Sequence, residues 1–128
     1  VFLLETRVAV LATASPKGAP LLTPIWFTWA DNSAYMFTER SSRKWRNIEV
    51  RPYASLCVDH RDPPYRAVTL YGSVMEVPKP VYALIHSMAV RYYGKKLGLE
   101  FSRRYLKNPP ETVLFRLVPD RIIHDLGS

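Results

Sequence analysis

The segment TERSSRKWRNIEVRPYASLCVD, Thr38–Asp59, decides how the rest of the chain is interpreted. It predicts the end of a strand, a short basic helix and the start of another strand. The helix is expected to begin at Ser41 or Ser42, whose hydroxyl can accept a hydrogen bond from an open backbone N–H. It is expected to end near Arg51, because Pro52 disfavours helical geometry in the residue before it.

The first turn of this helix carries three cations, Arg43, Lys44 and Arg46, while Trp45 and Ile48 form an apolar stripe. Cations at this end oppose the helix dipole, at a cost of roughly 0.3–1 kcal/mol each. A bound phosphate or carboxylate would reverse the sign, since free N–H groups and cations would converge on one anion. The alternative is a solvated basic turn, and the pattern alone leaves both interpretations open.

The composition predicts one domain over residues 1–128, because 48% of the 128 residues are hydrophobic. No apolar run approaches the roughly 18–20 residues of a membrane helix. The single cysteine, Cys57, excludes an internal disulfide framework and favours a reducing, cytoplasmic location. The chain opens at Val1 without Met, so we expect residues to precede it. A net charge of +7 indicates an anionic partner.

Apolar patterning and turn residues predict a mainly β (α+β) fold, a small barrel of six antiparallel strands with the helices outside. Pro24 cannot donate to a strand ladder, so its strand is expected at an edge or with a bulge. Gly72 indicates a bend in a long strand. The strands are expected at Arg7–Ala14, Pro20–Trp29, Ala34–Thr38, Ala54–Asp59, Tyr65–Val77 and Thr112–Val118, the last extending through Ile122–Asp125.

Two further helices are predicted between the last two strands. One carries an apolar stripe with helical spacing, and Gly94 and Gly98 are expected to break it. A shorter helix is expected over Glu100–Lys107. The stripe consists of Val81, Leu84, Ile85, Met88, Ala89 and Tyr92.

No sequence motif supplies chemistry of its own. The histidines, His60, His86 and His124, lie far apart and predict no metal site. There is no nucleophile–base pair and no phosphate-binding glycine motif, so the catalytic residues stay unknown. An enzyme with this sequence would depend on a bound cofactor for its reactivity.

Three segments in order, LATASPKGAPLLTPIWF, YMFTERSSRKWRNIEVRPYASLCVD and PPYRAVTLYGSV, resemble the flavin/deazaflavin oxidoreductase superfamily. This is the split β-barrel superfamily of pyridoxamine 5'-phosphate oxidase, and the nearest resemblance is to its coenzyme F420-dependent branch. The resemblance covers about Arg7 to Val77.

The resemblance implies which residues hold the cofactor phosphate. They are Thr38, Ser42, Arg43 and, first among them, Lys44, while Asn47 would support the loop. The alternative for Thr38 is that it only ends its strand and binds no ligand.

The resemblance also implies a homodimer with the cofactor between the subunits. Tyr65 and Arg66 would then reach the cofactor from the second subunit, although Arg66 also suits an exposed strand face. The second strand would lie along the ring, although Trp26 would also serve to fill the barrel. The residues of that strand are Thr23, Pro24, Ile25 and Trp26.

The function implied by the resemblance is hydride transfer from reduced F420 to an unsaturated small molecule. FMN is the alternative cofactor, and a non-catalytic flavin- or haem-binding protein is an alternative function. A basic barrel that stacks single-stranded nucleic acid on Tyr92, Tyr93 and Tyr105 is the rival from another class. It is disfavoured because the basic residues cluster on helices and not along one barrel face. We expect no nucleic-acid partner and, separately, no membrane partner.

Overall fold

A computed structural model describes residues 2–78 and 81–126, so Val1 lies outside it, and it contains seven strands and three α-helices. The strands are β1 (Ala9–Ala14), β2 (Pro20–Ile25), β3 (Thr28–Ala30), β4 (Ser33–Glu39), β5 (Tyr53–His60), β6 (Arg66–Glu76) and β7 (Thr112–Leu126). The helices are α1 (Arg43–Val50), α2 (Tyr82–Tyr93) and α3 (Lys95–Ser102). Short 3-10 turns lie at Phe2–Leu4 and Arg103–Tyr105.

All seven strands form one antiparallel sheet in the order β2-β1-β5-β6-β7-β4-β3. The two edge strands, β2 and β3, are consecutive in the chain and are separated only by Trp26 and Phe27. The sheet must therefore curl until its edges meet, which makes a barrel that is split at these two residues. The predicted split barrel is confirmed.

The prediction of six strands was wrong by one. The expected strand Pro20–Trp29 is interrupted at Trp26–Phe27, so its first part pairs with β1 and its last part with β4. Pro24 lies on the edge strand β2, as its missing N–H requires. The last strand runs without a break past Pro119 to Leu126, which confirms the expected extension.

Gly72 lies where the register between β6 and β7 shifts, next to Tyr71. A Cβ at Gly72 would lie 2.0 Å from the carbonyl oxygen of Val118. Only glycine permits this approach of the two backbones, so the predicted bend has a steric cause.

The core fills the barrel and is closed at one side by α1. Trp45 and Ile48 of α1 are buried, and the ring centroids of Trp45 and Phe115 are 5.4 Å apart. The other members of this core come mostly from the long strands, with Phe27 from the break between β2 and β3. The largest fully buried ones are Leu11, Phe27, Met36, Leu56, Leu70, Phe115 and Leu117.

Helices α2 and α3 pack against each other outside the barrel. Gly94 ends α2 with a positive φ of 88°, as predicted. Gly98 does not break a helix but lies inside α3, and the predicted helix Glu100–Lys107 begins earlier, at Lys95. A Cβ at Gly98 would lie 2.7 Å from the Cα of Val90, so this glycine serves the close contact between the helices.

Candidate functional site

The start of α1 is held by a relay of two hydroxyl groups. The Ser42 hydroxyl accepts a hydrogen bond from the Trp45 N–H at 3.2 Å, and Thr38 donates to the same oxygen at 3.1 Å. Ser42 is therefore the N-cap, and the helix ends at Val50, before Pro52, as predicted. Thr38 is buried and fixes the cap from the end of β4.

Asn47 fixes the same helix to the barrel. Its side-chain amide donates to the Thr13 hydroxyl of β1 at 3.1 Å, and both residues are buried. Asn47 was expected to support the loop before α1. Its side chain instead links α1 to β1. A buried, satisfied polar pair of this kind defines the position of the helix.

The three cations of the first turn have different environments. Arg46 folds back to the carbonyl oxygen of Ser41, with its two nitrogens at 2.8 and 3.3 Å, so its position has a structural explanation. Arg43 is exposed. Lys44 is half-buried, and in the described part of the chain it has no hydrogen-bond or ion-pair partner.

Lys44 lies in a groove of about 260 Å³, which we call the Lys44 groove. Burial in this groove lowers the pKa of Lys44 below its ordinary value. The ammonium is thus partly removed from water, and none of the described residues forms an ion pair with it. Apart from Lys44 the lining is apolar and consists of Val8, Pro24, Ile25, Trp26, Phe37 and Phe101.

One wall of the Lys44 groove is the end of β2, where Pro24, Ile25 and Trp26 follow one another. Thr23, just before them, has a buried hydroxyl without a hydrogen-bond partner among the described residues. The structure therefore brings Lys44 together with three of the four predicted ring-binding residues. Thr23 is not part of the lining.

The break after β2 is closed by Tyr92 of α2, a residue whose role the sequence did not reveal. Its hydroxyl donates to the carbonyl oxygen of Arg7 at 2.6 Å and accepts from the Phe27 N–H at 3.3 Å. Burial raises the pKa of this hydroxyl. The only sequence signal was the position of Tyr92 at the end of the apolar stripe of α2.

Trp26 does not fill the barrel, as one interpretation of the sequence had it, but packs outside it against α2 and α3. Its ring is stacked on that of Tyr92, with 4.9 Å between centroids and 8° between planes. Tyr93 and Phe101 contact it at centroid distances of 5.0 and 5.2 Å. These contacts give the Lys44 groove a fixed aromatic wall.

Of the three tyrosines that would stack nucleic-acid bases, two are too buried to do so. Tyr105 is buried and Tyr92 is half-buried in the contacts just described, while Tyr93 is exposed. A single exposed ring does not make a stacking platform for successive bases.

Tyr65 and Arg66 lie elsewhere, in a second groove of about 360 Å³ at the start of β6, which we call the Arg66 groove. Within one chain it shares no lining residue with the Lys44 groove. The Arg66 guanidinium lies over the Phe2 ring, 4.6 Å from its centroid. The other lining residues are Asp59, His60, Arg61, Ala67 and Asp125.

Within residues 2–78 and 81–126, no three His, Cys, Asp or Glu side chains lie close enough to hold a metal ion. None of the helices in the described part of the chain is both long and apolar enough to cross a lipid bilayer.

A family model for pyridoxamine 5'-phosphate oxidase matches residues 1–124. The chain belongs to the pyridoxamine 5'-phosphate oxidase family. This confirms the superfamily that the three sequence segments indicated. No curated protein matches the chain at a significant level.

Solved structures with the same fold fall into several functional groups. An F420 reductase is 27% identical, with a TM-score of 0.76, over 95% of this chain and 93% of its own. A conserved hypothetical protein from Mycobacterium tuberculosis is 26% identical, with a TM-score of 0.77, over 96% of this chain and 79% of its own. The haem storage protein HutZ from Vibrio cholerae, at 18% identity and a TM-score of 0.72, covers 98% of this chain and 89% of its own, and shows the fold alone.

Proposed function

We propose that this protein is an F420-dependent oxidoreductase that binds the deazaflavin coenzyme in the Lys44 groove. It would pass a hydride to an unsaturated organic substrate. The proposal is supported by family membership and by the similarity to an F420 reductase. Above all, it is supported by the Lys44 ammonium, which has no partner among residues 2–78 and 81–126.

The helix start offers the groups that a phosphate requires. Trp45 N–H is used by the Ser42 cap and Arg46 N–H by the Ser42 carbonyl, whereas the N–H groups of Arg43 and Lys44 have no partner among the described residues. Two open amides, the helix dipole and the Lys44 ammonium favour an anion at this point. Such an anion would also raise the lowered pKa of Lys44, because an opposite charge favours the protonated form.

The rest of the groove suits a flat, largely apolar ring. Pro24, Ile25 and Trp26 offer one wall, with Trp26 held in place by its stacking on Tyr92. When bound, the reduced deazaflavin supplies the hydride. The protein residues bind and orient the ring and keep water from one of its faces.

The negative charge of the cofactor is what distinguishes F420 from FMN at this site. Both carry a phosphate that Lys44 can pair with, but F420 also carries an oligoglutamate tail. The net charge of +7 and the exposed Arg43 favour the ligand with the larger negative charge. FMN is therefore the second candidate, with the same ring wall and the same phosphate position.

We also propose that the active unit is a homodimer in which Tyr65 and Arg66 of a second copy approach the Lys44 groove. Within one chain they line a different groove, so the two sets can join only between copies. Sedimentation of the protein at micromolar concentration is expected to give a dimer. A monomer that binds the cofactor at full affinity would contradict the two-subunit site.

The experiment is a titration of the same preparation with F420 and with FMN, followed by fluorescence. We expect F420 to bind more tightly, and Lys44→Ala to weaken it by about 1.5–3 kcal/mol, the range for a hydrogen bond to a charged group. Lys17→Ala, which removes an exposed lysine in the β1–β2 turn, is the matched control and is expected to change nothing. Equal affinity in Lys44→Ala and Lys17→Ala would refute the phosphate site.

A further inference from the structure

Phe101 of the Lys44 groove also lines a third concave surface, of about 260 Å³, which we call the Arg104 groove. Trp26, which lines the Lys44 groove, contacts both Tyr93 and Phe101, which line the Arg104 groove. The two grooves are therefore neighbours with a common aromatic wall. The lining of the second one is Tyr93, Leu97, Glu100, Phe101 and Arg104.

The Arg104 groove combines exposed apolar surface with a cation. Leu97 is 56% and Tyr93 47% exposed, which is high for large apolar side chains on adjacent helices. The Arg104 guanidinium lies over the Phe101 ring, 4.9 Å from its centroid. A flat ligand can take the open apolar surface while its acidic group meets the guanidinium, which pairs well with a planar carboxylate.

The helical segment around the Arg104 groove carries more positive than negative charge. Glu100 lies one helical turn before Arg104, but the ion pairs found among the described residues do not include this pair. Lys95, Lys96 and Arg103 lie on the same helical segment and add positive charge. A ligand with a carboxylate would therefore complement the surface better than a neutral or cationic one.

We propose that the Arg104 groove is the substrate subsite, and that it takes a flat, conjugated carboxylic acid with its carboxylate on Arg104 and its ring system against Tyr93, Leu97 and Phe101. The evidence that a ligand binds here comes from these residues alone. Its role in the reaction rests on the proposed function, because the common Phe101 wall would place the ligand next to the ring held in the Lys44 groove.

The test is an amide-resolved NMR titration of the full chain with 2-naphthoate and with 2-naphthamide, which has the same rings without the charge. We expect 2-naphthoate to shift the amides of residues 93–104 and to bind more tightly than 2-naphthamide. Arg104→Ala is expected to weaken 2-naphthoate about twofold to fivefold, the range of an exposed charge pair, and to leave the affinity for 2-naphthamide almost unchanged. Arg103→Ala, the neighbouring exposed arginine outside the lining, is the matched control.

A second variant tests the apolar part of the subsite. Phe101→Leu keeps most of the volume but removes the aromatic face, so we expect both ligands to bind about threefold to tenfold more weakly. The spectra of all variants are compared with that of the parent before titration, so that a loss of binding is not mistaken for a loss of folding. Equal effects of Arg103→Ala and Arg104→Ala, or shifts centred on residues 59–67, would overturn the proposal.

The same titration separates this inference from the proposed function. With F420 bound first, 2-naphthoate is expected to bind still, because the two grooves have different cations. Displacement of 2-naphthoate by F420, or its loss in Lys44→Ala and not in Arg104→Ala, would overturn the separate subsite. If F420 does not bind at all, the proposed function fails, while shifts at residues 93–104 that depend on Arg104 would still support the acid subsite.

Discussion

The Lys44 groove and the Arg66 groove both carry cations, but among the described residues only the Lys44 groove has a cation with neither an ion-pair nor an aromatic partner. In the Arg66 groove, Arg61 pairs with Asp59 at 3.1 Å and Arg66 lies over Phe2. In the Lys44 groove, the side chains that line the cavity together with Lys44 are all apolar. The comparison teaches that a surplus of basic residues does not mark a ligand site. A charge that the fold leaves uncompensated is the better guide.

The two grooves also differ in what builds them. The Arg66 groove belongs to the β5–β6 hairpin and the end of β7, whereas the Lys44 groove needs α2 and α3 for its aromatic wall. Changes in the helix pair are therefore expected to alter one groove and leave the other intact.

The largest effect is expected from Gly98→Ala. The added Cβ meets the backbone of Val90 at 2.7 Å, so α3 must move away from α2, at a cost of about 1–3 kcal/mol of unfolding free energy. Urea denaturation measures the loss, and NMR shifts are expected near Trp26 and Phe101 but not near Asp59–Ala67. Shifts spread equally over both grooves would contradict their separate construction.

A smaller loss is expected from Tyr92→Phe. Removal of the hydroxyl leaves the Arg7 carbonyl and the Phe27 N–H without their partner at the barrel split, which costs about 1–1.5 kcal/mol. Tyr93→Phe, on the exposed neighbour, is the control and is expected to stay within about 0.5 kcal/mol of the parent in urea denaturation. Equal stability of the two variants would show that Tyr92 does not hold the split closed.

Lys44→Met is expected to act in the opposite direction. It replaces a partly desolvated charge by an apolar chain of similar length, so the free energy of unfolding should rise by about 0.5–1 kcal/mol while F420 binding falls. Arg61→Met in the Arg66 groove removes a paired, exposed cation and is expected to give no such gain. A loss of stability in Lys44→Met would mean that the ammonium is compensated after all.

The smallest effect is expected from Asp59→Asn, which breaks the ion pair with Arg61. This pair is largely exposed, so less than about 0.5 kcal/mol should be lost in urea denaturation. A larger loss would show that the charges of the Arg66 groove contribute to the fold.

The sequence predicted the parts of this fold that depend on local chemistry. The Ser42 cap, the end of α1 before Pro52 and the edge position of Pro24 all follow from groups within a few residues. It did not predict the break at Trp26–Phe27, since that break depends on Tyr92, which is 65 residues away in the chain. Gly98 was misjudged for the same reason, because its helix contact is a tertiary feature.

The candidate site was predictable in part. The family resemblance put Lys44 first, and the unfavourable position of cations at a helix start was the signal that the residues themselves gave. The signal could not separate Lys44 from Arg46, whose guanidinium turned out to bind the Ser41 carbonyl. Nor could it show that Phe101 and Phe37 complete the groove, since both reach it from other elements.

The most direct test of the uncompensated charge is the pKa of Lys44 itself, measured by NMR of labelled lysine side chains with and without F420. Lys17 in the exposed turn provides the internal reference. We expect the pKa of Lys44 to lie below that of Lys17 in the free protein and to rise when F420 binds. If Lys44 titrates together with Lys17 in both states, the central claim is wrong.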